Sequence, residues 1–217
     1  MRGVTFPGER EVAILEFPDP TPGVGEVVIE MKASGMCGSD LHAYRGPKDP
    51  EEFRRIFKGR PLERMRDLGP LIVGHEPCGV VVEIGPGVTE HQARIGQRMM
   101  VHHYHGCGVC DQCRTGWAQI CETHKPVTYG LSAHGGHAKF MKVPAATLVA
   151  LPDELSFEAG AAISCGSGTS YSALRRMKPN GSHTVVIFGQ GPVGLSGTQF
   201  AAAGMSGHCV GHQRGSP

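Results

Sequence analysis

Four cysteines crowd into one short stretch, "CGVCDQCRTGWAQIC", at positions 107, 110, 113 and 121. Gaps of two, two and seven residues let four thiolates in a loop converge on one ion. Zinc accepts four sulfurs tetrahedrally and then has no open position, so such a site stabilises and does not catalyse. An iron–sulfur cluster also uses four cysteines, but this spacing matches neither common ferredoxin run. Two disulfides are a further reading. The start "MRGVTFPGER" lacks the apolar core of a secretion signal, which favours thiols kept for metal. The expectation is a structural zinc on Cys107, Cys110, Cys113 and Cys121.

A second, dispersed set could do chemistry. Cys37 opens "CGSDLH", His75 and Glu76 lie in "GHEPCGVV", and Cys165 lies in "SCGSGTSY". Two thiolates and one imidazole make a zinc set with a position left for water or substrate. Singly each is weak, because a lone cysteine is most often a small buried hydrophobe, the reading given to Cys78. A third signal is glycine at 189, 191 and 194 after the apolar run 185–188. A strand followed by such a loop and a helix can cradle a dinucleotide pyrophosphate on backbone N–H groups.

These residues need elements to position them. Residues 1 to about 150 read as β-rich, with strands over Val27–Ala33, Val80–Ile84, Met99–Val101 and Lys139–Val143. Val27, Ile29, Met31 and Ala33 would share a face. Glycine, 32 of 217 residues, is about twice its usual share of roughly 7%, which favours many strands and tight turns over a helical bundle. Residues 48–67 hold seven basic and five acidic residues around Phe53, Ile56 and Phe57. They read as a short amphipathic helix in an inserted loop, either a solvated face or a lid over a substrate pocket. From about 155 the pattern turns to a helix over 158–177, a buried strand over 184–188 and a helix from Gly194. That is the first β–α step of a parallel sheet. Trp117 and the group His102, His103, Tyr104 and His105 belong with the strand entering the four-cysteine loop and receive no role. A net charge of +1 gives no reason to expect nucleic acid or an anionic membrane, and no apolar run approaches a membrane span.

In order along the chain, these motifs resemble the zinc-dependent medium-chain alcohol dehydrogenases. The polyol- and threonine-dehydrogenase-like branch is nearest, from "CGSDLH" and "GGHAKF" at 135–140. The resemblance implies a β-rich GroES-like catalytic domain, a partly open β-barrel, over residues 1–155. The start of an α/β Rossmann dinucleotide-binding domain follows over 156–217. It implies two zincs per chain: a catalytic one on Cys37, His75 and Cys165, and the structural one in the four-cysteine loop. Glu76 is then either an outer carboxylate or an exchangeable ligand, depending on the branch, and Asp40 orients the zinc-bound histidine. Ser39 and His42 match a relay carrying the alcohol proton to solvent, although Ser39 also reads as a turn residue and His42 as a surface histidine. Thr169 lies near the nicotinamide, and Gly189, Gly191 and Gly194 hold the cofactor, NAD or NADP. The reaction implied is oxidation of a secondary alcohol or polyol to its ketone, in a cytoplasmic homo-oligomer.

The resemblance weakens after about residue 203. An acid for the adenosine ribose is expected about 20 residues beyond the glycines, yet no Asp or Glu follows Glu158. Residues 208–214 read as a poor strand, and Arg214 there would favour a 2′-phosphate. The expectation is a C-terminally truncated member that keeps its zincs and binds cofactor weakly or not at all. The alternative function is a catalytically inactive zinc-binding fragment.

Overall fold

The computed structural model describes residues 1–205 and, by their backbone, 208–212. Two compact units emerge, Met1–Ala161 and Ala162–Pro217. In the first, β1 (Arg2–Gly8) and β2 (Glu11–Glu16) form an antiparallel pair. Three longer strands follow, β3 (Glu26–Gly35), β4 (Glu76–Ile84) and β5 (Arg98–Val101). Then come a two-residue pair, β6 (Tyr104–His105) and β7 (Val127–Thr128), and finally β8 (Phe140–Pro144) and β9 (Leu148–Ala150). Antiparallel pairing in the order β8-β3-β4-β5-β9 makes one five-stranded sheet that does not close on itself. All four strands read from the sequence lie in it.

One face of the sheet buries Val27, Ile29, Val81, Met99, Val101, Met141 and Val143 together. Val28 is buried as well, contrary to burial on one face alone. The pairing of β3 with β8 runs unbroken over residues 26–30, and the shift beside Val28 skips Val82 of β4, so β3 keeps its alternation and Val28 is covered on the opposite face.

The charged segment builds a second core. After α1 (Gly38–Arg45), the helix α2 spans Pro50–Ile56, started by Asp49, whose carboxylate accepts from the Glu52 N–H at 2.8 Å. Phe53 and Phe57 are buried with Phe6, Ala43, Leu62 and Met65. Ile56, expected on the same stripe, is half exposed because α2 ends at it and Phe57 already caps the helix. Arg66 ties this core down. Its guanidinium lies 4.6 Å from the centre of the Phe53 ring and donates to the carbonyls of Phe6, Ala43 and Pro47. Hydrogen bonds from a charged donor are worth about 1.5–3 kcal/mol each, and losing the donor strands buried carbonyls. Arg66→Ala should therefore destabilise the first unit by about 3 kcal/mol. In thermal unfolding followed by circular dichroism, that reads as a midpoint roughly 6–12 °C lower. A shift under about 2 °C would refute the role.

A four-residue helix, α3 (Asp111–Arg114), lies in the cysteine loop, and α4 (Phe157–Ala162) closes the first unit. The division thus falls slightly beyond the residue 155 read from the sequence. In the second unit, Ile163–Ser167 winds as a π-helix into α5 (Gly168–Met177). Then β10 (Thr184–Phe188), α6 (Pro192–Phe200) and β11 (His208–His212) follow. β10 is less buried than its apolar run implied: Val185 is covered, but Phe188 is 80% exposed. β11 corrects the expectation of a poor strand, for it pairs in parallel with β10 from Thr184 opposite His208 to Phe188 opposite His212. Main-chain hydrogen bonding carries that pairing and does not need an apolar run. Arg214 lies outside the described residues. No helix among them is long and apolar enough to cross a membrane.

Candidate metal centres

In the four-cysteine lobe, each thiol is placed by a turn or a helix end. Cys110 caps the N-terminus of α3, Cys121 ends the single 3-10 turn Ala118–Ile120, and Gly108 and Gly116 take positive φ between them. All four sulfurs lie within 4.8 Å of one another, with Cys107–Cys113 and Cys110–Cys121 at 3.9 Å. A tetrahedron of sulfurs about 2.3 Å from a zinc has edges of about 3.8 Å. A disulfide needs about 2.0 Å, so the thiols are not paired that way. Hydrogen bonds from Thr123 and from the N–H groups of Val109 and Cys110 hold Cys107 well below the usual thiol range, at about 5. Burial among its neighbours pushes Cys113 up to about 11. Gly106 has no room for a side chain, since a Cβ there would meet Cys113 Sγ at 2.4 Å.

The second centre is built at the end of β3. Cys37 stands at the N-terminus of α1, and Asp40, fully buried, accepts from the Cys37 N–H at 2.8 Å. The other Asp40 oxygen lies 3.0 Å from His75 Nδ1, so one carboxylate fixes both the cysteine turn and the imidazole. With Nδ1 so engaged, Nε2 is the free coordinating atom, and the Ser39 hydroxyl lies 3.1 Å from it. Donor atoms of Cys37, His75 and Glu76 fall within 4.8 Å of one another. Burial pushes the His75 imidazole down, but hydrogen bonds to Asp40 and Cys37 and their charges outweigh it and raise it to about 10. Burial and then the nearby Cys37 charge push Glu76 up to about 7. Anionic donors converging in a dry site, with protons held on to relieve them, form a donor set that suits a divalent cation.

Glycines let this centre close. β3 and β4 pair Gly35 with Glu76, and a Cβ on Gly35 would strike the Glu76 carboxylate at 2.1 Å. Gly74 takes φ +94° just before His75, and a Cβ there would meet the His137 ring at 2.5 Å. The N–H groups of Gly135, Gly136 and His137 donate to the carbonyls of Ile72, Gly74 and Val73. "GGHAKF" thus clamps the turn that presents His75, and its adjacent glycines were the available signal of close backbone approach. His103 was also missed as part of this site. It is buried, and its ring stands edge-on to His75 at 5.1 Å.

The other sequence-read residues lie as follows. His42 is exposed with its ring 5.8 Å from Phe57, and the Ser39 hydrogen bond runs to His75 and not to His42. Cys78 is fully buried in β4, where burial raises its thiol to about 11. In the second unit, Cys165 is half-buried in the π-helix and Thr169 is exposed in the first turn of α5. Gly189 has φ +89°, Gly191 caps α6, and a Cβ on Gly194 would meet the Gly189 carbonyl at 1.7 Å. That is the close strand–helix approach for which such loops require a third glycine.

An open β-sheet carrying a four-thiol lobe and a largely buried Cys–His–Glu set defines a GroES-like module built to hold metal. Residues 23–153, more than half of the chain, match the alcohol dehydrogenase GroES-like domain, and the chain belongs to that family. It is 38% identical over 201 residues to the uncharacterized zinc-type alcohol dehydrogenase-like protein YphC of Escherichia coli K12, covering 93% of this chain and 54% of that protein. It is 33% identical over 199 residues to L-threonine 3-dehydrogenase of Xanthomonas campestris, covering 92% and 52%. Among solved structures it resembles the acetophenone reductase of Geotrichum candidum in complex with NAD. That match has TM-score 0.79 and 28% identity, over 97% of this chain and 57% of that one. The chain spans about half the length of the curated relatives it matches.

Proposed function

We propose that the chain is the metal-holding part of a zinc- and NAD(P)-dependent oxidoreductase that interconverts a secondary alcohol or polyol and its ketone. The observation that carries this reading is Asp40, which fixes Cys37 and His75 with one buried carboxylate. Cys37, His75 and Cys165 would hold the catalytic zinc, with Glu76 beside them as outer carboxylate or exchangeable ligand. Cys107, Cys110, Cys113 and Cys121 would hold the structural one. When bound with an open position, zinc polarises an alcohol oxygen and makes its proton acidic near neutral pH. NAD or NADP supplies the hydride acceptor that no side chain can provide.

The chain's own residues do the rest. Asp40 keeps the His75 ring turned so that Nε2 faces the reaction. Ser39, whose hydroxyl lies beside that nitrogen, would relay the alcohol proton by giving up its own proton as it accepts that one, with the exposed His42 as the group that releases a proton to solvent. Gly189, Gly191 and Gly194 would hold the cofactor pyrophosphate on backbone N–H groups as the start of a Rossmann domain, and Thr169 would lie by the nicotinamide.

The test is metal content by mass spectrometry alongside turnover of secondary alcohols with NAD or NADP. Two zincs per chain is the expected result, and nicotinamide reduction tests whether this part of the enzyme turns over by itself. Fewer than two zincs after anaerobic purification overturns the metal assignment; two zincs without turnover overturn the redox assignment for this chain.

A further inference from the structure

The charged segment 48–67 forms one wall of a cavity of about 490 Å³ within the first unit. Facing it are Gln119 of the cysteine lobe, the run from Lys125 to Thr128, and Tyr104 of β6. Three cations line this cavity, Arg60, Arg64 and Lys125, and no carboxylate does.

None of the three is firmly neutralised. Among the described residues Arg60 has no ion-pair partner; its guanidinium lies 5.9 Å from the centre of the Phe57 ring. Arg64 reaches Asp67 only at 3.5 Å, while Arg54 already holds that carboxylate at 2.7 Å. Lys125 is 3.9 Å from Glu63. Like charges gathered around a concave surface raise the local potential and favour an anion there.

A second observation points to the rest of the ligand. The Oε1 atom of Gln119, a residue that lines the cavity, is buried without a hydrogen-bond partner among the described residues. Buried acceptors are normally satisfied, and a hydroxyl is a donor that fits this one.

Two of the cavity's lining residues lead by ring contacts to the candidate centre. The Tyr104 ring lies 4.3 Å from that of His103, which in turn contacts His75. Phe57, under Arg60, contacts His42. A molecule held here is two ring contacts from the metal-ligand histidine and from the end of the proton path.

We propose that this cavity recognises the anionic end of a polyhydroxylated substrate. Its phosphate or carboxylate would sit among Arg60, Arg64 and Lys125, and a hydroxyl would donate to Gln119 Oε1. The inference rests on the dehydrogenase reading and names its substrate class. It gives the 48–67 segment a binding function beyond a solvated face.

The test is calorimetric titration of the zinc-loaded chain with glucitol, glucitol 6-phosphate, gluconate and inorganic phosphate. The same titrations are run on the double variant Arg60→Gln/Arg64→Gln and on Lys125→Met. At least one charged polyol should bind about tenfold or more tightly than glucitol, with the gap narrowing in high salt. The gap should close in the double variant and shrink in Lys125→Met. Preference for glucitol 6-phosphate assigns a phosphate, preference for gluconate a carboxylate, and both support the proposal. Equal affinity for charged and neutral polyols overturns it, as does a gap that survives the double substitution. Inorganic phosphate binding as tightly as the polyol phosphate also overturns it, because the site would then be a plain anion hole. Zinc content, measured on the same samples, separates the two readings. A chain with fewer than two zincs fails as a dehydrogenase whatever its anion preference, whereas two zincs without discrimination sink only this proposal.

Discussion

Asp40→Ala is expected to loosen one of the two zincs by about ten- to a hundredfold while leaving the other in place. Asp40 is fully buried and accepts two hydrogen bonds, at 2.8 Å from the Cys37 N–H and at 3.0 Å from His75 Nδ1. Removing it strands a buried N–H and frees the imidazole to rotate, so two ligands lose their aim at once. The result to look for is competition with a chelator, with zinc counted by mass spectrometry. The variant should surrender one zinc at chelator levels at which the parent keeps both, and should lose about 3 kcal/mol of stability from the two broken charge-assisted bonds. Asp40→Asn, which keeps the shape and can still accept one bond, should fall between. Equal retention of both zincs by parent and Asp40→Ala would refute the argument.

Asp40 also shows how far the sequence reaches. Cys37 and Asp40 are legible because "CGSDLH" sets a cysteine, a carboxylate and a helix start three residues apart, and local spacing of that kind survives folding. The four-cysteine lobe is legible for the same reason. What a one-dimensional pattern hides is the partner brought from a distant strand. The contact of His103 with His75 arises because β5 leads from the sheet into the lobe, and nothing around His103 announces it. The glycines at 135 and 136 mark a close approach, but not that Ile72–Gly74 is what they approach. The strands were read correctly in type, whereas burial along them was not. The covered Val28 of β3 and the exposed Phe188 of β10 depend on neighbours a local period does not record. β11 was underrated because an apolar run was taken as the mark of a strand, when a parallel neighbour suffices.

Removing metal from the cysteine lobe should melt it while the five-stranded sheet persists. The lobe has no core of its own: neither α3 nor the turn Ala118–Ile120 contains a buried residue, and Val109 and Ile120 face solvent. Helices of three and four residues are far too short to hold themselves. The sheet, in contrast, buries a continuous apolar cluster independent of the lobe. Structural zinc in small thiolate sites supplies about 10–16 kcal/mol of apparent binding energy, and in a segment without a core that energy is the folding energy. Hydrogen exchange read by mass spectrometry after chelation should therefore show residues 106–123 losing protection by a hundredfold or more, and β4 changing little. Cys107→Ser should reproduce part of the loss without chelator, because it removes the sulfur that receives the N–H groups of Val109 and Cys110. Protection in the lobe that is the same with and without metal would mean its turns hold by hydrogen bonding alone. If the lobe does melt, Gln119 and Lys125 lose their positions with it, so anion discrimination in the adjacent cavity should fall together with lobe protection.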